Sequence, residues 1–169
     1  MKPVGVELLT ELVDQHGAAL VLYARQWCDT PEDVVQDAFL LLVRQPKAPE
    51  NAVGWLYRVV RNGAISASRS AARRARREAS AGRRDPPWFS PSRDDWPDAD
   101  AVTRALQGLS PEEREAIVAR IWGGLTWGQI AGLAGSTKST VHRRYQSGLV
   151  ALRERLGVRC PETKSMPRN

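Results

Sequence analysis

The chain has 169 residues, a formal net charge of +6 and an isoelectric point near 9.9, which favours an anionic partner such as nucleic acid. This length allows one domain or two small ones. No apolar run approaches the ~20 residues of a membrane-spanning helix, and the N-terminus lacks the pattern of a signal peptide. Cys28 and Cys160 lie far apart in the sequence, and neither has a second cysteine or a histidine at the spacing of a metal site. We therefore expect a reduced cytoplasmic protein without membrane insertion, in which Cys28 is a buried residue at a helix end.

Three helices are predicted in the first half of the chain. The first runs from about Val6 to Trp27, and its apolar stripe comprises Leu8, Leu9, Leu12, Val13, Leu20, Tyr23, Ala24 and Trp27. The second has Thr30 as its cap, Pro31 in the first helical position and an end before Pro46. Its apolar residues are Val34, Val35, Ala38, Phe39, Leu41 and Leu42. The third begins near Asn51 and becomes polar and basic toward Arg77, so its second half needs solvent or a polyanion against it.

Residues 85–98, DPPWFSPSRDDWPD, show neither a helical nor a strand period. Four prolines forbid a continuous helix there, so we predict a proline-rich linker that is partly extended. Its aromatic residues, Trp88, Phe89 and Trp96, have two open interpretations. They pack back on one of the domains, or they anchor a partner surface.

Four short helices are predicted after the linker. One contains Val102, Ala105, Leu106 and Leu109. The next begins with Ser110, Pro111 and Glu113 as cap, first-turn proline and capping-box acid. It buries Ala116, Ile117 and Ile121, with Trp122 as a further candidate. Nothing in the chain alternates over enough residues to indicate a sheet. The predicted fold is all-α, with two small helical domains on either side of the linker.

The last two helices have the pattern of a helix-turn-helix. Thr126 and Gln129 form a second capping box, and Gly135 provides the sharp exit from the shorter helix. The longer helix opens near Ser136 or Thr137, and its first two turns carry Lys138, Ser139, Thr140, His142, Arg143 and Arg144. Helix-turn-helix proteins read DNA with these positions. The agreement of cap, turn, apolar face and basic front favours DNA binding over an ordinary helical hairpin.

The sequence offers no sign of an enzyme. It has no glycine-rich phosphate loop, metalloprotease motif, paired-cysteine motif or nucleophile elbow. Asp33 and Asp37 have no third metal ligand placed with them, so we predict no catalytic residue, metal or cofactor. The alternative function is a stand-alone helix-turn-helix transcriptional regulator whose N-terminal helices form a dimerisation domain.

Three segments together carry a resemblance to a known family. They are residues 31–45, PEDVVQDAFLLLVRQ, residues 54–62, GWLYRVVRN, and the sequence from Leu109 onward. In this order they resemble region 2.2, the opening of region 2.4 and nearly all of region 4 of bacterial RNA polymerase sigma factors of the two-domain extracytoplasmic-function type, in the sigma-70 family. Each segment alone is weak support, but three in the family's order are strong.

The resemblance implies a transcription initiation factor with core RNA polymerase and promoter DNA as partners, and an anti-sigma factor as a further one. Residues 1–84 correspond to a region 2-like domain, 85–98 to the linker and 99–160 to a region 4-like domain. The residues that it places at the polymerase are Asp33, Gln36, Asp37, Phe39 and Leu40. Those at the −10 element are Trp55, Arg58, Arg61, Asn62, Arg69, Arg73 and Arg74. Those that read the −35 element in the major groove are Lys138, Ser139, Thr140, His142, Arg143 and Arg144.

Some of these residues also fit a purely structural role, and some positions depart from the family. Phe39 and Trp55 recur at helical spacing with other apolar residues, which favours the core. The loop 45–51, which captures a flipped base in the family, is short here. Val53 stands where an aromatic residue is common, and Ser66 where an aspartate is common. We therefore expect altered −10 recognition, with the arginine tract compensating through the phosphate backbone.

Overall fold

The computed structural model of the chain describes residues 4–77 and 99–157. The predicted linker with Trp88, Phe89 and Trp96 lies outside the described residues, and so does Cys160. In the two described stretches, every regular element is a helix, and none of these helices is long and apolar enough to cross a membrane. The helices are α1 (Val6–Ala24), α2 (Pro31–Val43), α3 (Ala52–Arg77), α4 (Ala99–Gln107), α5 (Pro111–Ile121), α6 (Trp127–Ala134) and α7 (Lys138–Leu156).

Helices α1, α2 and α3 pack against one another as an N-terminal bundle. The buried residues of α1 are Leu12, Leu20, Tyr23 and Ala24. Leu8 and Val13 are exposed, contrary to the predicted stripe. No residue of α1 before Leu12 is buried, although Val4, just ahead of the helix, packs against the core. The helix ends at Ala24 and not at Trp27.

Helix α2 begins as predicted with Pro31 in its first turn, but the cap differs. Thr30 occupies the cap position with φ −122° and ψ 57°, and its side chain makes no capping hydrogen bond. That backbone conformation lies outside the β region from which cap side chains reach the first turn. Leu41 was predicted on the apolar face and is exposed, because the side of the helix that packs inward carries Val35, Ala38 and Leu42, with Val34 and Phe39 half-buried beside them.

Cys28 is buried in the turn before α2, as predicted. Its Sγ donates a weak hydrogen bond to the Ala24 carbonyl oxygen at 3.6 Å, and burial raises the pKa of the thiol. A buried thiol with a raised pKa is unreactive, which fits a packing role.

Helix α3 divides into a buried and an exposed half. At its start, the Asn51 side-chain Oδ1 accepts a hydrogen bond from the Gly54 backbone N–H at 2.9 Å. The buried residues that follow are Leu56, Tyr57, Val60 and Ala64. Residues 72–76 are all exposed, which confirms that burial stabilises only the first half.

Helices α4, α5, α6 and α7 form a C-terminal bundle in which α5 and α7 share the largest contact. The capping boxes of Ser110 with Glu113 and Thr126 with Gln129 are both present, as predicted. Ile121 and the further candidate Trp122 were predicted to be buried but are 51% and 42% exposed, because α5 ends at Ile121 and the chain turns away at Gly123. Residues 115–119 of α5 are all buried.

The two bundles contact each other, α1 against α5 and α3 against α6, and their buried residues form one continuous core. A helix buried over five consecutive residues has neighbours on every side, and α5 obtains them from α7, α6 and α1. The two halves therefore share an interface, whereas the sequence predicted only two separate helical domains joined by a linker.

Candidate polymerase and nucleic-acid interfaces

The first two turns of α7 present most of the predicted −35 residues to solvent. Thr137 caps the helix, and its Oγ1 accepts a hydrogen bond from the Thr140 backbone N–H at 3.2 Å. Gly135 in the turn has φ 59°, in the left-handed region that glycine adopts without strain. Lys138, Ser139, His142 and Arg143 are exposed, whereas Thr140 and Arg144 are half-buried. The cap and the turn therefore define the start of α7, and the polar side chains of its first two turns are accessible to a DNA groove.

Trp127, the first residue of α6, supports α7 from the side. Its ring meets the His142 ring edge-on at a centroid distance of 5.0 Å and the Tyr145 ring at 5.1 Å. The Arg120 guanidinium lies 4.7 Å from the centroid of the same indole, and its Nη1 donates to the Leu125 carbonyl oxygen at 2.8 Å. This cluster, which the sequence analysis missed, draws on three helices, and no spacing within one helix indicates it.

The predicted −10 residues lie along α3 in differing surroundings. Trp55 is half-buried and packs against the core, while Arg58 and Asn62 are exposed. Arg69, Arg73 and Arg74 are also exposed, and in the described part of the chain none of the three pairs with a carboxylate. The exposed rear of α3 is therefore a basic surface with free donors for an anion.

Arg61 is held by the other half of the molecule. Its Nε donates to Glu115 Oε1 at 2.8 Å, and the Tyr23 hydroxyl donates to the same oxygen at 2.7 Å. Glu115 is only 5% exposed. The Arg61 guanidinium also lies 5.7 Å from the centroid of the Trp27 ring. A buried carboxylate of α5 is thus satisfied by donors from α1 and α3.

The electrostatics of this group reinforce the contact. Burial, followed by the charge and hydrogen bond of Glu115, raises the pKa of Tyr23 well above its usual value. Burial alone would lower the pKa of Arg61, but the hydrogen bond and charge of Glu115 outweigh it and raise that pKa. The phenol therefore stays neutral and the guanidinium charged near neutral pH.

Tyr57 and Gly123 form a second close contact between the halves. A Cβ placed on Gly123 would lie 2.7 Å from the Tyr57 hydroxyl oxygen and 2.5 Å from the Ala119 carbonyl oxygen. Tyr57 is fully buried, and burial raises the pKa of its phenol. The C-terminal half approaches α3 this closely only because residue 123 has no side chain.

A cleft of about 210 Å³ is lined by residues of both halves. Its N-terminal wall contains Pro49, Asn51, Gly54, Trp55 and Arg58, and its C-terminal wall contains Gln129 and Leu133 of α6. The predicted −10 residues Trp55 and Arg58, and the end of the loop 45–51, therefore face the helix-turn-helix.

The predicted polymerase-binding residues lie on the outer side of α2. Asp33, Gln36, Asp37 and Leu40 are exposed, and Phe39 is half-buried against the core. The exposed side also carries Leu41 and Val43, which the sequence analysis did not assign to this surface. Leu40, Leu41 and Val43 are 47%, 43% and 46% exposed. Large apolar side chains clustered in solvent beside acids are typical of an interaction surface.

Comparison with known proteins identifies the family. The model described as sigma-70 region 2 matches residues 12–74, and the model described as sigma-70, region 4 matches residues 99–152. Together they cover more than half of the chain. The chain belongs to the sigma-70 family. The two regions follow one another with only residues 75–98 between them, as the two-domain extracytoplasmic-function type predicts.

This sigma factor is a transcription initiation factor that directs RNA polymerase to promoters. The alternative of a stand-alone regulator with an N-terminal dimerisation domain is wrong, because the N-terminal helices match region 2 of a sigma factor.

Two solved structures share the fold. One is the sigma factor RpoE in complex with the anti-sigma factor NepR from Bartonella quintana, with 22% identity and a TM-score of 0.71. It matches over 91% of this chain and 99% of that chain. The other is CnrH in complex with the cytosolic domain of CnrY, with 23% identity, a TM-score of 0.56 and 92% coverage of each chain. A search of curated proteins finds no match.

Proposed function

We propose that the outer side of α2 docks this sigma factor on core RNA polymerase. The docking residues are Asp33, Gln36, Asp37, Phe39 and Leu40, joined by Leu41 and Val43. The observation that supports this best is the row of exposed apolar side chains next to exposed carboxylates. An apolar centre with a charged rim is the usual anatomy of a protein interface.

Helix α3 acts at the −10 element. Trp55, Arg58, Arg61 and Asn62 contact the opened strand, while Arg69, Arg73 and Arg74 hold the phosphate backbone. The support is an exposed basic half that burial does not stabilise, adjoining a half-buried tryptophan suited to stacking on bases.

The front of α7 reads the −35 element in the major groove. Its candidate residues are Lys138, Ser139, Thr140, His142, Arg143 and Arg144. The capped start of α7 and the indole behind His142 keep these side chains in a fixed register, which base readout requires.

In this proposal, residues 1–84 are the polymerase and −10 domain, 85–98 the linker and 99–160 the −35 domain. The protein works in the cytoplasm, where polymerase and promoters are, and it has no catalytic activity of its own. An anti-sigma factor is a further partner, since the RpoE structure is a complex with one.

Charge reversal on α2 tests the docking surface. Asp37→Arg should weaken binding to core polymerase and leave the helical content unchanged. The loss is ~2–5 kcal/mol if the carboxylate is buried and paired in the complex, and far less if it lies on the rim. Titration of core polymerase with labelled protein measures the affinity.

Asp14→Arg is the matched control, because Asp14 is also an exposed aspartate but lies on α1. It should bind core polymerase like the wild type. If Asp37→Arg also binds like the wild type, α2 is not the docking surface.

A further inference from the structure

The Trp127 side chain lies between the core of the C-terminal bundle and the front of α7. It is half-buried and packs against the core. The Arg120 guanidinium lies 4.7 Å from the centroid of its ring and is itself held by the Leu125 carbonyl oxygen. The Tyr145 ring, which also packs against the core, meets the indole with an interplanar angle of 69°. The position of the indole is therefore fixed within the protein, before any DNA binds.

His142 is the front residue that rests on this indole. The two ring centroids are 5.0 Å apart and the ring planes are nearly perpendicular, at 81°, which is a favourable arrangement of two aromatic rings. His142 is nonetheless exposed, so the indole supports the imidazole without covering it. Such packing restricts the rotamers that an exposed side chain otherwise samples.

The two long cations of the front are held less firmly. Arg143 has no hydrogen bond, ion pair or ring contact with any residue that the structure describes. Lys138 extends past Gly128, whose missing side chain leaves room for it, since a Cβ there would lie 3.2 Å from the Lys138 Cε. A flexible cation suits a phosphate, whereas readout of a base edge needs a donor held in one direction. His142 is the exposed side chain of the front that meets this requirement through a fixed aromatic neighbour.

The chemistry of the imidazole indicates which bases it can read. A ring N–H of histidine donates a hydrogen bond. In the major groove both purines present the N7 acceptor, which neither pyrimidine has. His142 lies in the second turn of α7, among the N-terminal positions from which helix-turn-helix proteins contact base edges. A ring N–H of fixed direction at this position matches the N7 atom of a purine.

We propose that His142 reads a purine at one position of the −35 element, and that Trp127 is the positioning residue that holds the imidazole in the reading direction. Trp127 acts through His142 and does not itself contact the base. This proposal rests on the assignment of the front of α7 to the −35 element.

The test uses the full-length protein with core RNA polymerase. The template is a promoter library with a randomised −35 element, in which each member carries a transcribed barcode. The variants are His142→Ala, Trp127→Leu and the two combined. Trp122→Leu is the matched control, because it makes the same change at an exposed tryptophan of the same bundle. Sequencing of the barcodes gives the ratio of transcription from purine to pyrimidine at each position.

We expect the wild type to favour a purine at one position, and His142→Ala to abolish that preference and keep the others. Trp127→Leu frees the imidazole, which must then be immobilised when it binds a purine. The purine-to-pyrimidine ratio at that position should fall about two- to tenfold. In the His142→Ala background Trp127→Leu should change this ratio no further. Trp122→Leu should keep the wild-type ratios.

A ring in place of Trp127 should restore the preference. Trp127→Phe keeps an aromatic neighbour for the imidazole, so its ratio should lie closer to that of the wild type than the ratio of Trp127→Leu. Wild-type protein provides a further measurement in case Trp127→Leu does not fold. The chain has two histidines, and comparison with His142→Ala assigns their ring protons by NMR. The ring current of Trp127 should shift the His142 signals away from those of a free histidine.

A purine preference that survives in His142→Ala overturns the proposal. A uniform loss of transcription across the library in that variant overturns it as well, because His142 then contacts only phosphate. A folded Trp127→Leu with the wild-type ratio, or His142 signals like those of a free histidine, overturns the positioning role of Trp127. If the front of α7 does not read the −35 element at all, the wild type itself shows no preference across the library, so failure of the proposed function is distinguishable.

Discussion

At the residue scale, Arg143 and Arg144 are neighbours on α7 with different surroundings, since Arg143 is exposed and Arg144 is half-buried. The exposed guanidinium can form the bidentate pair with guanine that discriminates bases by ~1–3 kcal/mol. Arg143→Ala should therefore relax preference at one or two base pairs of the −35 element. Transcription from a library of randomised −35 elements measures this.

Arg153→Ala is the control for that library, because Arg153 is exposed at the far end of α7. It should leave the preferred sequence as it is. If Arg143→Ala lowers transcription equally from all sequences, Arg143 contacts only phosphates, as most protein–DNA hydrogen bonds do.

Gly123 tests the close approach of the two halves. Gly123→Ala puts a methyl group against the Tyr57 hydroxyl and the Ala119 carbonyl, and overpacking of this kind lowers the free energy of unfolding by about 1–3 kcal/mol. Gly132→Ala is the control within α6, since a Cβ there has nothing within 4 Å. It should be neutral or stabilise the fold by up to about 1 kcal/mol. Urea unfolding measures the free energy of unfolding of each variant. If Gly123→Ala is as stable as the wild type, the close contact between Gly123 and Tyr57 is contradicted.

At the element scale, local signals predicted most helices, and side-chain burial was harder to predict. The capping boxes at Ser110 and Thr126 depend on residues three apart, so the sequence contains the whole interaction. Thr30 lies at a cap position yet makes no capping bond, because its backbone, with φ −122° and ψ 57°, is outside the β region that cap residues adopt. Ile121 lies on the apolar face of α5 by its spacing, which predicted burial, but it is exposed at the end of the helix. Spacing within one helix does not indicate where the neighbouring helices end.

The rear of α3 leads to a prediction about salt. Replacing Arg73, Arg74 and Arg76 by alanine should weaken binding of the polymerase–sigma complex to every promoter alike. Each lost phosphate contact removes ~0.9 from the slope of log affinity against log salt, so three contacts remove up to about 2.7. Affinities measured between low and high salt give the slope.

Arg44→Ala is the control for the tract, since Arg44 is exposed at the end of α2 and away from the proposed DNA path. It should keep the wild-type slope. A triple variant with that same slope shows that the arginines are only solvated and do not contact DNA.

At the scale of the whole molecule, the family and the two-part organisation were predictable, and the packing of one part on the other was not. In the sequence, nothing distinguishes Glu115 from Glu112 and Glu113, the other acidic residues of the helix Pro111–Ile121. Its burial depends on Tyr23 and Arg61, which are 92 and 54 residues away. Helical periodicity carries no information on contacts at such separations, so the sequence did not indicate that Arg61 is occupied.

The most direct test of the account is transcription with purified core RNA polymerase, with and without this protein, on DNA from the organism that encodes it. Sequencing of the transcript 5′ ends locates every start site. We expect start sites that appear only when the protein is present and that share two sequence elements near −10 and −35. Identical transcripts with and without the protein would contradict it.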